Sequence, residues 1–152
     1  MKNQQTFFTK LTRLAGMAFL VAGASASQAG VILSLTPESS EVNIGESFVV
    51  DLSATIDASE PVLGWGLDLS FDESLLSLTT LTIDPAWTAL PSADGDGLAG
   101  SLPFAFPPLP GITGNVGLAS FTFTALSGGA TSLGISATPG DLTEGFALTT
   151  PG

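Results

Sequence analysis

The side chains in this chain that could do chemistry are almost all carboxylates. Fourteen Asp and Glu residues face three Lys and Arg, and His, Cys and Tyr are absent. Two acidic clusters have suggestive spacing. Asp72 and Glu73 are adjacent within Phe71–Leu75, and Asp94 and Asp96 alternate with glycine in Ser92–Gly97. A carboxylate pair can hydrolyse a glycosidic bond when one member is held protonated and the other ionised. No cation stands near either cluster to push the two pKa values apart, and Asp72-Glu73 reads as a chain corner. Nucleophile and base sets need His, Cys, Lys or Tyr. The composition therefore argues against an enzyme, and no catalytic residue is assigned. Asp94 and Asp96 have the alternation of a calcium loop, with glycines that let carbonyls turn inward. The later Glu of a complete loop is missing, and a plain Asp-Gly turn is the competing reading. Ca²⁺ is the candidate metal, and no cofactor is required.

Lys2, Lys10 and Arg13, the only basic residues, lie at the extreme N-terminus. They precede the apolar run Leu14–Ala24 and then small residues, with cleavage sites after Ala26 or after Ala29. The run is too short to span a bilayer comfortably, and this order is that of a secretory signal peptide. Residues 1–29 are thus expected to be a leader, and 30–152 a secreted domain, extracellular or periplasmic. All fourteen acidic residues lie after position 29, so the mature chain has fourteen formal negative charges and no cationic side chain. Such a surface cannot neutralise phosphates, which argues against nucleic acid or anionic lipid as a partner. The same charge keeps a domain soluble and is expected to keep it monomeric. No disulfide is possible, despite export. The roughly 123 remaining residues suit one domain with an adequate core.

Those elements must come from strands. From Val31 onward the hydrophobic period is two, punctuated by Gly, Pro, Ser and Asp. Strands are predicted over 31–35, 41–44, 47–56, 63–71, 75–83, 115–126, 131–137 and 144–150. In the third, Phe48, Val50, Leu52, Ala54 and Ile56 share one face; in the fourth, Trp65, Leu67, Leu69 and Phe71 do so. Phe121 and Phe123 form a core row with Ala119 and Ala125. Residues 84–114 hold six of the ten prolines and many glycines, and read as a long functional loop with a short hairpin near 100–106. The fold class is all-β, an antiparallel β-sandwich of eight or nine strands.

Three stretches in order carry a resemblance: VNIGESFVVDL (42–52), LGWGLDLSFDESLLSL (63–78) and GLASFTFTALSGGATSLGIS (117–136). Together they resemble the cohesin domain across nearly the whole mature chain. The resemblance implies a jelly-roll sandwich related to family 2 and family 3 carbohydrate-binding modules. It also implies a non-catalytic scaffolding role, binding a dockerin-like protein near extracellular polysaccharide. The leader and the Lys-free mature chain look like the cohesin-like domains of secreted bacterial proteins with a PEP-CTERM sorting signal. The chain departs from that set in ending FALTTPG, without a Pro-Glu-Pro motif, and free secretion is expected.

Two binding sites compete. If strands 47–56 and 63–71 pair, Asp51, Ser53, Asp68 and Ser70 form one flat acidic face for a protein partner, as a sheet face does in cohesins. Alternatively Trp87, Phe104 and Phe106 form an exposed aromatic patch in the Pro-rich loop that binds polysaccharide directly. A third possibility is a passive matrix or biofilm protein with no specific ligand.

Overall fold

The computed structural model describes residues 30–90, 97–102, 110–138, 141 and 143–149. Nine strands form among them: β1 (Val31–Pro37), β2 (Ser47–Ile56), β3 (Val62–Ser70), β4 (Leu76–Ile83), β5 (Thr88–Leu90), β6 (Gly97–Ser101), β7 (Gly114–Ala125), β8 (Gly134–Ser136) and β9 (Gly145–Leu148). One sheet has the order β1-β2-β7-β4, and the other β5-β6-β3-β8, with β9 also on β3. All pairings are antiparallel. The chain moves from one sheet to the other between β2 and β3, β3 and β4, β4 and β5, β6 and β7, and β7 and β8. This is the expected sandwich.

Period-two patterning explains the layers. On β2, Phe48, Val50, Leu52, Ala54 and Ile56 are all buried, while Ser47, Asp51 and Thr55 are exposed. The register places Val50 against Phe121 and Phe48 against Phe123, so the inward rows of β2 and β7 meet side by side. Phe123 contacts Phe48, Phe71 and Phe121 at ring-centroid distances of 5.8, 5.1 and 6.3 Å. Among the described residues no polar or charged residue is buried.

Two expectations are corrected. Residues 41–44 make no strand. The backbone turns there instead, with Asn43 donating to Glu46 Oε2 from both N (3.1 Å) and Nδ2 (2.9 Å). Conversely, part of the 84–114 loop is regular. β5 pairs with β6 from Thr88↔Ser101 to Leu90↔Ala99, and β6 lies on β3. The hairpin thus starts twelve residues earlier than 100–106, and its first strand is Thr88-Ala89-Leu90, which contains none of the prolines.

A bulge in β7 sets the interior of one end. Pairing with β2 shifts at Leu52/Ser53, which leaves Leu118 as the extra residue between Gly117 and Ala119. Leu118 and Ala119 are consequently both buried. Asp84 N donates to Leu118 O (2.9 Å), and a Cβ at Gly117 would collide with the Asp84 carboxylate. Glycine at 117 leaves room for the Asp84 side chain where the chain after β4 folds back.

Candidate functional site

The fold-back of residues 84–87 decides the role of Trp87. Asp84 Oδ1 accepts from Ala86 N (2.9 Å), and Asp84 O accepts from Trp87 N (2.9 Å). The turn drives the indole between the sheets. There it is 5% exposed, stands edge-on to Trp65 at 6.3 Å, and donates from Nε1 to Gly117 O (2.8 Å). The aromatic patch expected on this loop is therefore corrected at Trp87, which is core and offers no ring face to a sugar. Phe104 and Phe106 lie outside the described residues, as do Asp94 and Asp96, the proposed calcium pair. Among the described residues, no group of three or more acidic residues is placed to hold a metal ion.

The single acidic face is also corrected. Asp51 and Ser53 are on β2, in the first sheet, whereas Asp68 and Ser70 are on β3, in the second. The two strands do not pair, so these residues belong to two separate outward faces. β2 pairs instead with β1 and β7, which sets its Phe48–Ile56 row beside the inward row of β7.

On the first sheet, Asp51 lies in the cross-strand row Thr36–Asp51–Ser120–Thr82. Its neighbours are the rows Val49–Thr122–Thr80 and Ser47–Thr124–Ser77. These hydroxyls bond to one another. Ser120 Oγ donates to Asp51 Oδ1, and Ser47 Oγ and Thr124 Oγ1 share a bond of 2.9 Å. Thr79 Oγ1 donates to Thr122 O (2.9 Å), and Thr55 Oγ1 to Asn115 Oδ1 (2.8 Å). The one carboxylate in these rows, Asp51, has a cross-strand partner, and Ile32 at the β1 edge is 67% exposed.

The second sheet is built differently. The outward positions of β3 are Gly64, Gly66, Asp68 and Ser70, and their cross-strand partners include Ser101, Ala99, Gly145 and Ala147. Glycine and alanine along three neighbouring strands leave no side-chain layer there. The result is a trough of about 380 Å³, with Leu90 on one bank and the Thr143–Glu144 backbone on the other. A Cβ at Gly66 would collide with Thr143 O, so glycine is what allows that bank to close over the strand. Leu90 is 44% exposed, and Ala147 is exposed as well. A volume of this size is at the lower end of that of ordinary ligand pockets, roughly 300–1,000 Å³. Asp68 stands beyond the end of the trough and is half-buried. Its Oδ2 accepts from Thr138 Oγ1 (3.3 Å), and its Oδ1 is shielded, with no partner among the described residues. Ser70 is exposed, with its Oγ over Gly134.

In the sequence, Gly64 and Gly66 alternate with Trp65 and Leu67 and so fall on the opposite face of the strand. Their alternation on one face, opposite the Trp65–Leu67 row, was the signal for a groove. It becomes legible only when the small residues of β6 and β9 are known to lie alongside.

Three further aspartates shape turns. Asp72 Oδ1 accepts from Ser74 N (2.9 Å) and Ser74 Oγ (2.6 Å). Asp57 and Asp141 make the same pair of bonds to Ser59 and Thr143. The Ser74 hydroxyl and backbone N–H hold Asp72 below its ordinary value of 3.8, and the Ser59 backbone N–H and hydroxyl do so for Asp57. Because the folded pKa is depressed, the stability each contributes is present above pH 3.8 and is lost as pH falls through the lowered value. In thermal melts, Asp72→Ala is expected to lower Tm at neutral pH, and the gap to the parent should narrow below pH 3.8. A gap that persists unchanged at pH 2, well below the unfolded value, would show that the carboxylate's ionisation is irrelevant to the turn.

No family model matches the chain, and no curated protein does. Several solved structures are similar to it. A cohesin module from a Clostridium perfringens family 33 glycoside hydrolase is 14% identical with a TM-score of 0.45, the match covering 63% of this chain and 70% of that one. The sixth cohesin of Acetivibrio cellulolyticus scaffoldin B, solved in complex with a dockerin, is 17% identical with a TM-score of 0.49, over 72% and 83% of the two chains. The seventh type I cohesin of ScaB from Pseudobacteroides cellulosolvens is 13% identical with a TM-score of 0.44, over 72% and 96%. Likeness at this level concerns the arrangement of strands and carries nothing about ligands. The two-sheet antiparallel sandwich stands on this chain's own pairing.

Proposed function

We propose that the protein is an exported, non-catalytic docking module of cohesin-like kind, which takes a protein partner on the outer face of the β3 sheet. One observation carries the choice of face. The trough over Gly64 and Gly66 is concave and floored by small residues, with an exposed leucine on its bank, whereas the polar side chains around Asp51 are already hydrogen-bonded to one another. A concave apolar surface gains free energy when a partner side chain fills it. The fourteen acidic residues of the mature chain, with no basic side chain among them, select a cationic partner and speed its approach. A dockerin-like domain that offers an aliphatic side chain within a basic surface meets both demands. The setting near extracellular polysaccharide follows from the sequence resemblance, and export from the leader.

The direct test is affinity capture from the producing organism's secreted fraction with tagged mature protein, in parent, Leu90→Lys, Ala147→Lys and Asp51→Lys forms. Each variant is checked by thermal melt. Leu90→Lys and Ala147→Lys are expected to weaken capture of the same protein at least tenfold, and Asp51→Lys less than threefold. Raising salt from 0.05 to 0.5 M should weaken parent binding. Capture that is lost with Asp51→Lys and unaffected by the trough variants would move the site to the other sheet. Recovery of polysaccharide with no protein would replace the reading by direct glycan binding.

A further inference from the structure

The start of β1 sits beside a carboxylate that has no counter-ion among the described residues. Gly30 O accepts from Asp57 N (2.7 Å), which ties this residue to the end of β2, and β1 begins at the next residue, with Val31 opposite Ile56. Glu60 reaches back to the same point. A Cβ built on Gly30 would collide with Glu60 Oε2 and lie 3.3 Å from Asp57 Cβ, and the φ of +149° also favours glycine. Glu60 Oε2 is shielded from solvent and has no hydrogen-bond partner among the described residues. A shielded carboxylate oxygen without a donor is costly, and a charge brought to it recovers much of that cost. No Lys, Arg or His after position 29 can supply one.

We propose that the leader is removed between Ala29 and Gly30, and that the α-ammonium created on Gly30 pairs with Glu60 as the sole fixed cation of the mature protein. A leader peptidase would add water across the Ala29–Gly30 bond. Ala29 departs with a carboxylate, and Gly30 keeps the amine, which is protonated at neutral pH. That nitrogen is bonded to the Cα whose Cβ position already touches Glu60 Oε2, so the ammonium is within reach of the carboxylate. Cleavage after Ala26 would leave Ser27-Gln28-Ala29 attached and put the charge elsewhere. The inference rests on the export reading.

The titratable groups facing this amine among the described residues are Asp57 and Glu60. Both are acidic, so the folded amine is held above its unfolded value of about 8. A raised pKa means that the pair stabilises the fold fully below pH of about 8 and loses its effect as pH rises through the folded value. Intact-mass and N-terminal sequencing of exported protein are expected to give Gly30 as the first residue. On that material, Glu60→Gln should lower Tm by about 3 °C at pH 7, and the difference should vanish above pH of about 10. Acetylating the amine should give the same loss in the parent and none in Glu60→Gln. A first residue of Ser27 overturns the inference and leaves the export reading standing. Failure of any cleavage before Val31 overturns both. A Glu60→Gln effect that is the same at pH 7 and pH 10 would show Glu60 to be structural without the ion pair.

Discussion

Phe123→Ala is expected to bring the domain close to the limit of folding. The ring has no exposed surface and bridges the inner rows of β2, β7 and the chain after β3, through Phe48, Phe121 and Phe71. Removing it deletes buried apolar area and leaves a cavity between elements that cannot collapse, because sheet register fixes their spacing. Substitutions of this kind cost about 3–5 kcal/mol. A domain of this size has roughly 5–15 kcal/mol in total, with no disulfide to limit the loss. The Tm should fall by roughly 10–20 °C. Phe123→Leu, which refills most of the space, should recover more than half of that drop. A fall of under 3 °C for the alanine variant would mean that the sheets are not held by this aromatic cluster.

Trp87→Ala is the second large effect, and it separates a core role from a surface one. As a solvent-facing platform, Trp87 could be removed for within about 0.5 kcal/mol. Buried against Trp65 and bonded to Gly117 O, it should cost about 3–5 kcal/mol. Trp87→Phe tests the hydrogen bond separately. It keeps much of the packing but leaves Gly117 O without its donor, at a cost of about 1–3 kcal/mol. The readouts are thermal melts and the position of tryptophan emission, which should be blue-shifted in the parent and move to the red on unfolding. A solvent-like emission maximum in the folded protein, with an unchanged Tm in Trp87→Ala, would restore the exposed-patch reading.

Strand positions and facing were legible in the sequence wherever the period of two was long and one face was apolar. The Phe48–Ile56 and Ala119–Ala125 rows are buried as their alternation requires. Trp65 and Leu67 are buried for the same reason, at 4% and 3% exposure. Sheet membership was not legible. Alternation says which side of a strand is inward but nothing about its neighbour, and the error of uniting Asp51 with Asp68 came from that gap. The Trp87 error had a different cause. Its burial depends on a bulge at Leu118 and on the space that Gly117 leaves for Asp84, thirty residues away in the chain. The trough was hidden because it is formed by missing side chains on three strands, and a glycine in a strand signals only that something comes close.

The most direct measurement of the central claim is amide chemical-shift mapping of the isotope-labelled mature protein, titrated with the partner recovered by capture. The account predicts the largest shifts at Gly64, Gly66, Ala99, Ser101 and Ala147, with Ser53, Ser120 and Thr122 little changed. Shifts concentrated on those last three residues, with the trough silent, would contradict it.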